Sequence, residues 1–109
     1  MQQDLREVLQ RMRAQLMERI DRVQRDLARA DTPLSTDAPD RALQLENDEV
    51  LERIGVSSSE ELARIEAALT RLDAGWQFTC TLCGQPISPA RLKAVPHTDR
   101  CAACATRMD

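Results

Sequence analysis

The chain has 109 residues and a net charge of −3, with one tryptophan, one phenylalanine and no tyrosine. So few rings leave little for a large globular core, while 30% charged residues point to long, solvent-washed helices. The charge is uneven: residues 1–30 carry net +2, residues 31–73 net −7 and residues 74–109 net +2, which excludes the continuous basic stripe of a protein that lives on phosphate backbones. No stretch approaches the roughly 20 apolar residues of a membrane span. The start, Met1-Gln2-Gln3-Asp4-Leu5-Arg6, lacks the apolar region of a secretory signal. A cytoplasmic location is expected.

The first element is a helix over about residues 3–30. Leu5, Leu9, Met12, Leu16, Ile20, Val23 and Leu27 recur at steps of three and four, the seam of a helical hairpin or coiled coil. Neither glycine nor proline interrupts it. At 1.5 Å per residue it would be about 40 Å long.

A tip loop is expected over residues 31–40, where Pro33, Pro39 and several capping residues crowd together. It carries Asp37 and Asp40, followed by Arg41 and Ala42. Two carboxylates at a tip can hold a cation or meet basic residues of a partner. Aspartate is also a favoured N-cap, and from the chemistry alone capping is the commoner of the two roles.

A second helix is expected over about residues 41–72. Its apolar set is Leu43, Val50, Leu51, Ile54, Leu62, Ile65, Leu69 and Leu72. Gly55-Val56-Ser57-Ser58-Ser59 interrupts the pattern with poor helix formers, and the expectation is a continuous but soft helix. Two helices of similar length joined by a short turn fold back as an antiparallel hairpin.

Residues 74–109 hold all four cysteines, as Cys80-Thr81-Leu82-Cys83 and Cys101-Ala102-Ala103-Cys104. Two CxxC pairs at this separation are the spacing of a tetrahedral zinc site. Four thiolates fill the coordination sphere, so the one ion is structural and not catalytic. His97 reads as a surface-loop residue, not a ligand. Trp76, Phe78, Ile87, Leu92 and Val95 offer a small core. The fold class is therefore mainly α. A two-helix coiled-coil hairpin over 1–73 is followed by a C4 zinc finger with a short tail over 74–109.

With these residues in view, the chain resembles the DksA/TraR family of bacterial transcription regulators. Asp37-Ala38-Pro39-Asp40-Arg41-Ala42 matches the family's tip motif. Cys80, Cys83, Gly84, Ile87, Arg91, Leu92, Ala94, Pro96, Cys101 and Cys104 match its finger pattern. The resemblance implies a non-enzymatic regulator that inserts its hairpin into the secondary channel of RNA polymerase and destabilises open promoter complexes. Asp37, Asp40 and Ala42 would be the residues near the polymerase active site, and the finger would set the hairpin's angle against the polymerase rim. Relatives that answer to ppGpp, the alarmone of the stringent response, use basic residues around the finger and in the second helix. Here Arg64 keeps one such position, as the residual ppGpp contact, whereas two others read Val95 and Ala105. A polyanion needs several cations, so ppGpp coupling is expected to be weak or absent. The larger relatives also have extra segments at both ends, and the aromatic-glycine before the first cysteine is replaced by Gln77-Phe78-Thr79. Two rival functions stand beside this one. One is a stimulator of transcript cleavage, like the Gre factors. The other is a zinc-finger protein-interaction module without polymerase activity.

Overall fold

The computed structural model describes residues 2–29 and 33–108. Four helices follow in order: α1 (Gln2–Leu27), α2 (Ala38–Asp73), α3 (Pro89–Ala94) and α4 (Ala102–Met108). Among the described residues there is no strand beyond one isolated bridge between Thr79 and Pro86. The expected end of the first helix at residue 30, residues 31–32 of the expected loop, and residues 1 and 109 lie outside the described residues.

The chain divides into two compact units, one made of residues 14–62 and the other of residues 1–13 with 63–109. The division falls within the two long helices and not at the join of hairpin and finger. In each unit α1 and α2 run antiparallel. Arg29 pairs with Asp48 in the first unit, while Arg13–Glu66 and Arg6–Asp73 pair in the second.

The α1 seam is the expected one. Leu9, Leu16 and Val23 are buried at intervals of seven, and Leu5, Met12, Ile20 and Leu27 are half-buried between them. In α2 the proximal part also agrees, with Ile65 and Leu72 fully buried. The distal part does not. Leu43, Val50 and Ile54, expected inside, are 58%, 44% and 39% exposed. The inward register is instead Gln44, Asp48, Leu51, Gly55, Ser58, Leu62, Ile65, Leu69 and Leu72, alternating steps of four and three. The large apolar residues Ile65 and Leu72 fix that register, and the 3.5-residue repeat carries it back to small and polar side chains. Gly55–Ser59 is therefore no break. The helix passes through it, and Ser58 is buried in the interface.

α2 begins at Ala38, three residues before the expected start. It closes on Gly75, where the Gly75 N–H donates to the Leu72 carbonyl and the Trp76 N–H to the Arg71 carbonyl. This pair of bonds needs a left-handed residue at the turn, and Gly75 supplies it with φ 88°. In the finger, Cys80, Ile87, Leu92 and Cys104 form a core against which Leu5, Trp76, Phe78 and Cys101 pack. Ser88 caps α3 by accepting from the Arg91 N–H, with Pro89 opening the helix.

Candidate metal centre, basic cavity and hairpin tip

The four cysteines converge. Their sulfur atoms all lie within 4.8 Å of one another, and Cys83 Sγ is 3.7 Å from Cys101 Sγ. Zinc–sulfur bonds of about 2.3 Å in a tetrahedron place sulfurs about 3.8 Å apart, so the donor set fits one zinc ion. Backbone geometry makes the cluster. The Gly84 N–H donates to the Cys80 carbonyl at 2.9 Å, closing a turn whose φ of 76° at Gly84 a side chain would strain. The Cys80 N–H donates to Gln85, and the Ile87 N–H to Phe78, which ties the two arms of the knuckle. Cys101 precedes α4, and Cys104 sits in its first turn.

The thiols are electrostatically unequal. Burial opposes ionisation of Cys80, but hydrogen bonds from the backbone of Cys101, Cys83 and Leu82 outweigh it and bring its pKa to about 6. Backbone hydrogen bonding from Cys104 lowers Cys101. Hydrogen bonding with the Cys101 and Cys83 side chains pushes Cys104 up to about 12. Four thiols this close cannot all ionise without a cation between them, and a bound metal removes that conflict.

Arg64, the residue singled out beside the finger, lines an open surface cavity. Val95 and Ala105 line the same cavity, and so do Arg71, Arg91 and Arg100. The Arg71 guanidinium lies 5.1 Å from the Trp76 ring centroid, and its Nη2 donates to the His97 carbonyl at 3.1 Å. Desolvation lowers the Arg71 pKa against the opposing pull of Asp99. The Nε atoms of Arg71, Arg91 and Arg100 are buried without a hydrogen-bond partner among the described residues. This clustering was hidden in the sequence, because its arginines come from α2, α3 and the loop before α4. His97 is half-buried, its backbone already engaged by Arg71.

At the tip, Asp37 immediately precedes α2. Its carbonyl accepts from the Arg41 N–H at 2.9 Å, and its own N–H donates to Ser35 Oγ at 3.1 Å. Asp40 stands in the first helical turn. Asp37, Asp40 and Ala42 are all exposed. Asp37 thus occupies the N-cap position through its backbone. Among the described residues, neither aspartate's carboxylate has a hydrogen-bond or ion-pair partner. Gln44, which the sequence reading passed over, binds the loop. Its Oε1 accepts from the Ser35 N–H at 2.7 Å, and its Nε2 donates to the Pro33 carbonyl at 3.2 Å.

Residues 5–72 match the family model described as the DnaK suppressor protein-like N-terminal domain. Residues 73–109 match the prokaryotic dksA/traR C4-type zinc finger. Among solved structures, the chain is similar to transcription factor DksA2 from Pseudomonas aeruginosa. That likeness has a TM-score of 0.85 and 30% identity, over 98% of this chain and 81% of that one. It is also similar to the DnaK suppressor protein from Agrobacterium tumefaciens C58, with a TM-score of 0.64 and 37% identity over 96% of this chain and 91% of that one. Comparison with curated proteins gave no match.

Proposed function

We propose that this chain, which belongs to the DksA/TraR family, regulates transcription by inserting its hairpin tip into the secondary channel of RNA polymerase. Family membership supports a role as a transcription factor, and the four cysteines hold one zinc ion in this family. The secondary-channel mechanism is our reading. In it, Asp37, Asp40 and Ala42 approach the polymerase active site and alter the stability of open complexes at promoters.

One observation carries the reading: among the described residues, the two tip carboxylates are exposed and uncommitted to capping. A carboxylate that completes an N-cap is already satisfied by backbone N–H groups. Asp37 and Asp40 keep their lone pairs for a partner. The unit that holds them, residues 14–62, has twelve acids against six arginines, a balance that favours approach to a cationic cleft. The zinc is structural in this account. With four cysteine donors it leaves no position for substrate, and the chain acts by binding and not by chemistry.

We further read the coupling to ppGpp as weak or absent. Arg64 keeps one family position, while Val95 and Ala105 present methyl groups to the same cavity at two others. Of the further arginines that line it, Arg71 is engaged with Trp76 and His97 and Arg100 with Asp99, which leaves Arg91 to add to Arg64. A polyphosphate needs several charge-assisted bonds at once. Among the described residues no helix is long and apolar enough to cross a membrane, and a cytoplasmic site of action belongs to this proposal.

The test is the lifetime of open complexes formed by bacterial RNA polymerase at a ribosomal RNA promoter, with and without ppGpp. Wild-type protein should shorten the lifetime, and the Asp37→Asn/Asp40→Asn variant should not. An unchanged lifetime with folded, zinc-loaded protein would sink the regulator reading and favour an interaction module. Metal-dependent RNA shortening in the same mixture would instead favour transcript cleavage.

A further inference from the structure

Gln44 and Asp48 lie four residues apart on the inward register of α2, and between them they hold both sides of the tip. Asp48 forms an ion pair with Arg29, just beyond the end of α1. Gln44 binds Pro33 and Ser35 on the far side of the turn. Both residues are half-buried at positions where a seam of this spacing ordinarily carries leucine or isoleucine. A polar group in such a place destabilises unless it is partnered, and here each of the two has found its partner.

A second irregularity lies at Arg29. The Arg29 N–H donates to the Asp26 carbonyl at 3.1 Å, and its φ is 55°, the left-handed conformation that ends a helix. Glycine adopts this conformation without the steric cost an arginine bears. What arginine adds at that position is the guanidinium that reaches Asp48.

The contacts also lead to the acids. Gln44 holds the Ser35 N–H, Ser35 Oγ accepts from the Asp37 N–H, and the Asp37 carbonyl accepts from the Arg41 N–H. Gln44 is thus two hydrogen bonds from Asp37. The buried apolar residues of α2 set which of its faces turns inward, but burial by itself is non-directional. Directional polar contacts add a fixed pairing at the tip end of the seam.

We propose that Gln44 and Asp48 are positioning residues for the tip. With Arg29 they form a polar clasp that fixes the loop from which Asp37 and Asp40 are presented. The proposal rests on the reading of that tip as the polymerase-facing end, and its test separates the two.

The experiment uses the whole zinc-loaded chain. Amide exchange by NMR reads the Ser35 and Asp37 N–H groups without any polymerase, and open-complex lifetime reads the tip with it. In Gln44→Ala the Ser35 amide should exchange about tenfold faster. The concentration needed for a half-maximal lifetime effect should rise about tenfold as preorganisation is lost. Gln44→Glu keeps the Oε1 acceptor and should retain Ser35 protection. Arg29→Asp and Asp48→Arg should each weaken both readouts, and the double exchange should restore them by rebuilding the ion pair in reverse. Arg29→Gly relieves the backbone but leaves Asp48 without its partner, two effects that oppose each other in melting temperature, and it should lose lifetime potency. Unchanged Ser35 exchange in Gln44→Ala overturns the clasp. Faster exchange with undiminished potency overturns its positioning role. Should wild-type protein itself leave lifetimes unaltered, the polymerase reading falls, and amide exchange with the charge swap decides the clasp alone.

Discussion

Gly55 of α2 faces Val23 of α1 so closely that a Cβ at position 55 would stand 3.4 Å from Val23 Cγ1. The residue that looks like a helix breaker in the sequence is thus a place where two helices approach. Alanine at position 55 would gain about 1 kcal/mol of helix propensity, at the cost of a small retreat by Val23. Gly55→Ala is therefore expected to stabilise the chain slightly, whereas Gly55→Leu, which forces the helices apart, should destabilise it by about 1–3 kcal/mol. Urea unfolding followed by circular dichroism checks both. A lower midpoint for the alanine variant would mean that close approach outweighs helix entropy.

The tip acids make the opposite kind of prediction. Neither carboxylate is hydrogen-bonded within the described residues, so Asp37→Asn/Asp40→Asn removes no internal contact. What it removes is negative charge at a helix N-terminus, worth about 0.3–1 kcal/mol for each acid at low salt. The double variant should lose at most that much stability, and added salt should shrink the loss. Thermal melts at low and high ionic strength read this directly. A larger, salt-independent loss would show that the acids are structural caps.

How far the sequence speaks depends on how many large residues share one face. In α1 nearly all do, with Met17 the exposed exception, and Leu9, Leu16 and Val23 declare the seam. In the distal part of α2, two faces compete. Leu43, Val50 and Ile54 carry the hydrophobicity but face solvent, while Gln44, Asp48, Gly55 and Ser58 face α1. Counting bulk favours the wrong face. Extending the strict 3.5-residue repeat back from Ile65 and Leu72 finds the right one, because register is set where packing is strongest. The cysteine cluster was legible because its ligands lie in two short pairs. The arginine-lined cavity was not, because Arg64, Arg91 and Arg100 are distant in sequence and nothing local brings them together.

Metal uptake should depend on pH with a definite sign. Zinc binds thiolates, so any thiol protonated in the free protein must release its proton. Cys80, with a pKa of about 6, is already largely ionised at neutral pH, whereas Cys104, at about 12, is not. Affinity should therefore rise as pH rises, by about tenfold per pH unit for each proton released. Competition against a chromophoric chelator across neutral pH measures the slope. Stoichiometry should be one zinc per chain, and Cys104→Ser should lower affinity strongly. A flat profile would contradict the thiol assignments.

Arg71 and Trp76 give the finger a local reporter. The guanidinium lies over the indole, with its Nη2 on the His97 carbonyl, and the indole Nε1 donates to the Thr79 carbonyl at 3.0 Å. Arg71→Ala removes a cation–π contact of about 0.5–1 kcal/mol and a hydrogen bond of about 1 kcal/mol, so the loss should be about 1–2 kcal/mol. Arg71→Lys keeps the charge but not the flat stacking surface, and should fall between the two. Trp76 is the only tryptophan, so its emission follows these changes without a label. A red shift in Arg71→Ala, with circular dichroism unchanged, is the expected result. An unaltered spectrum and midpoint would mean that solvent replaces the guanidinium over the ring at no cost, and that Trp76 is held by its Thr79 bond and by Phe78, 5.3 Å away.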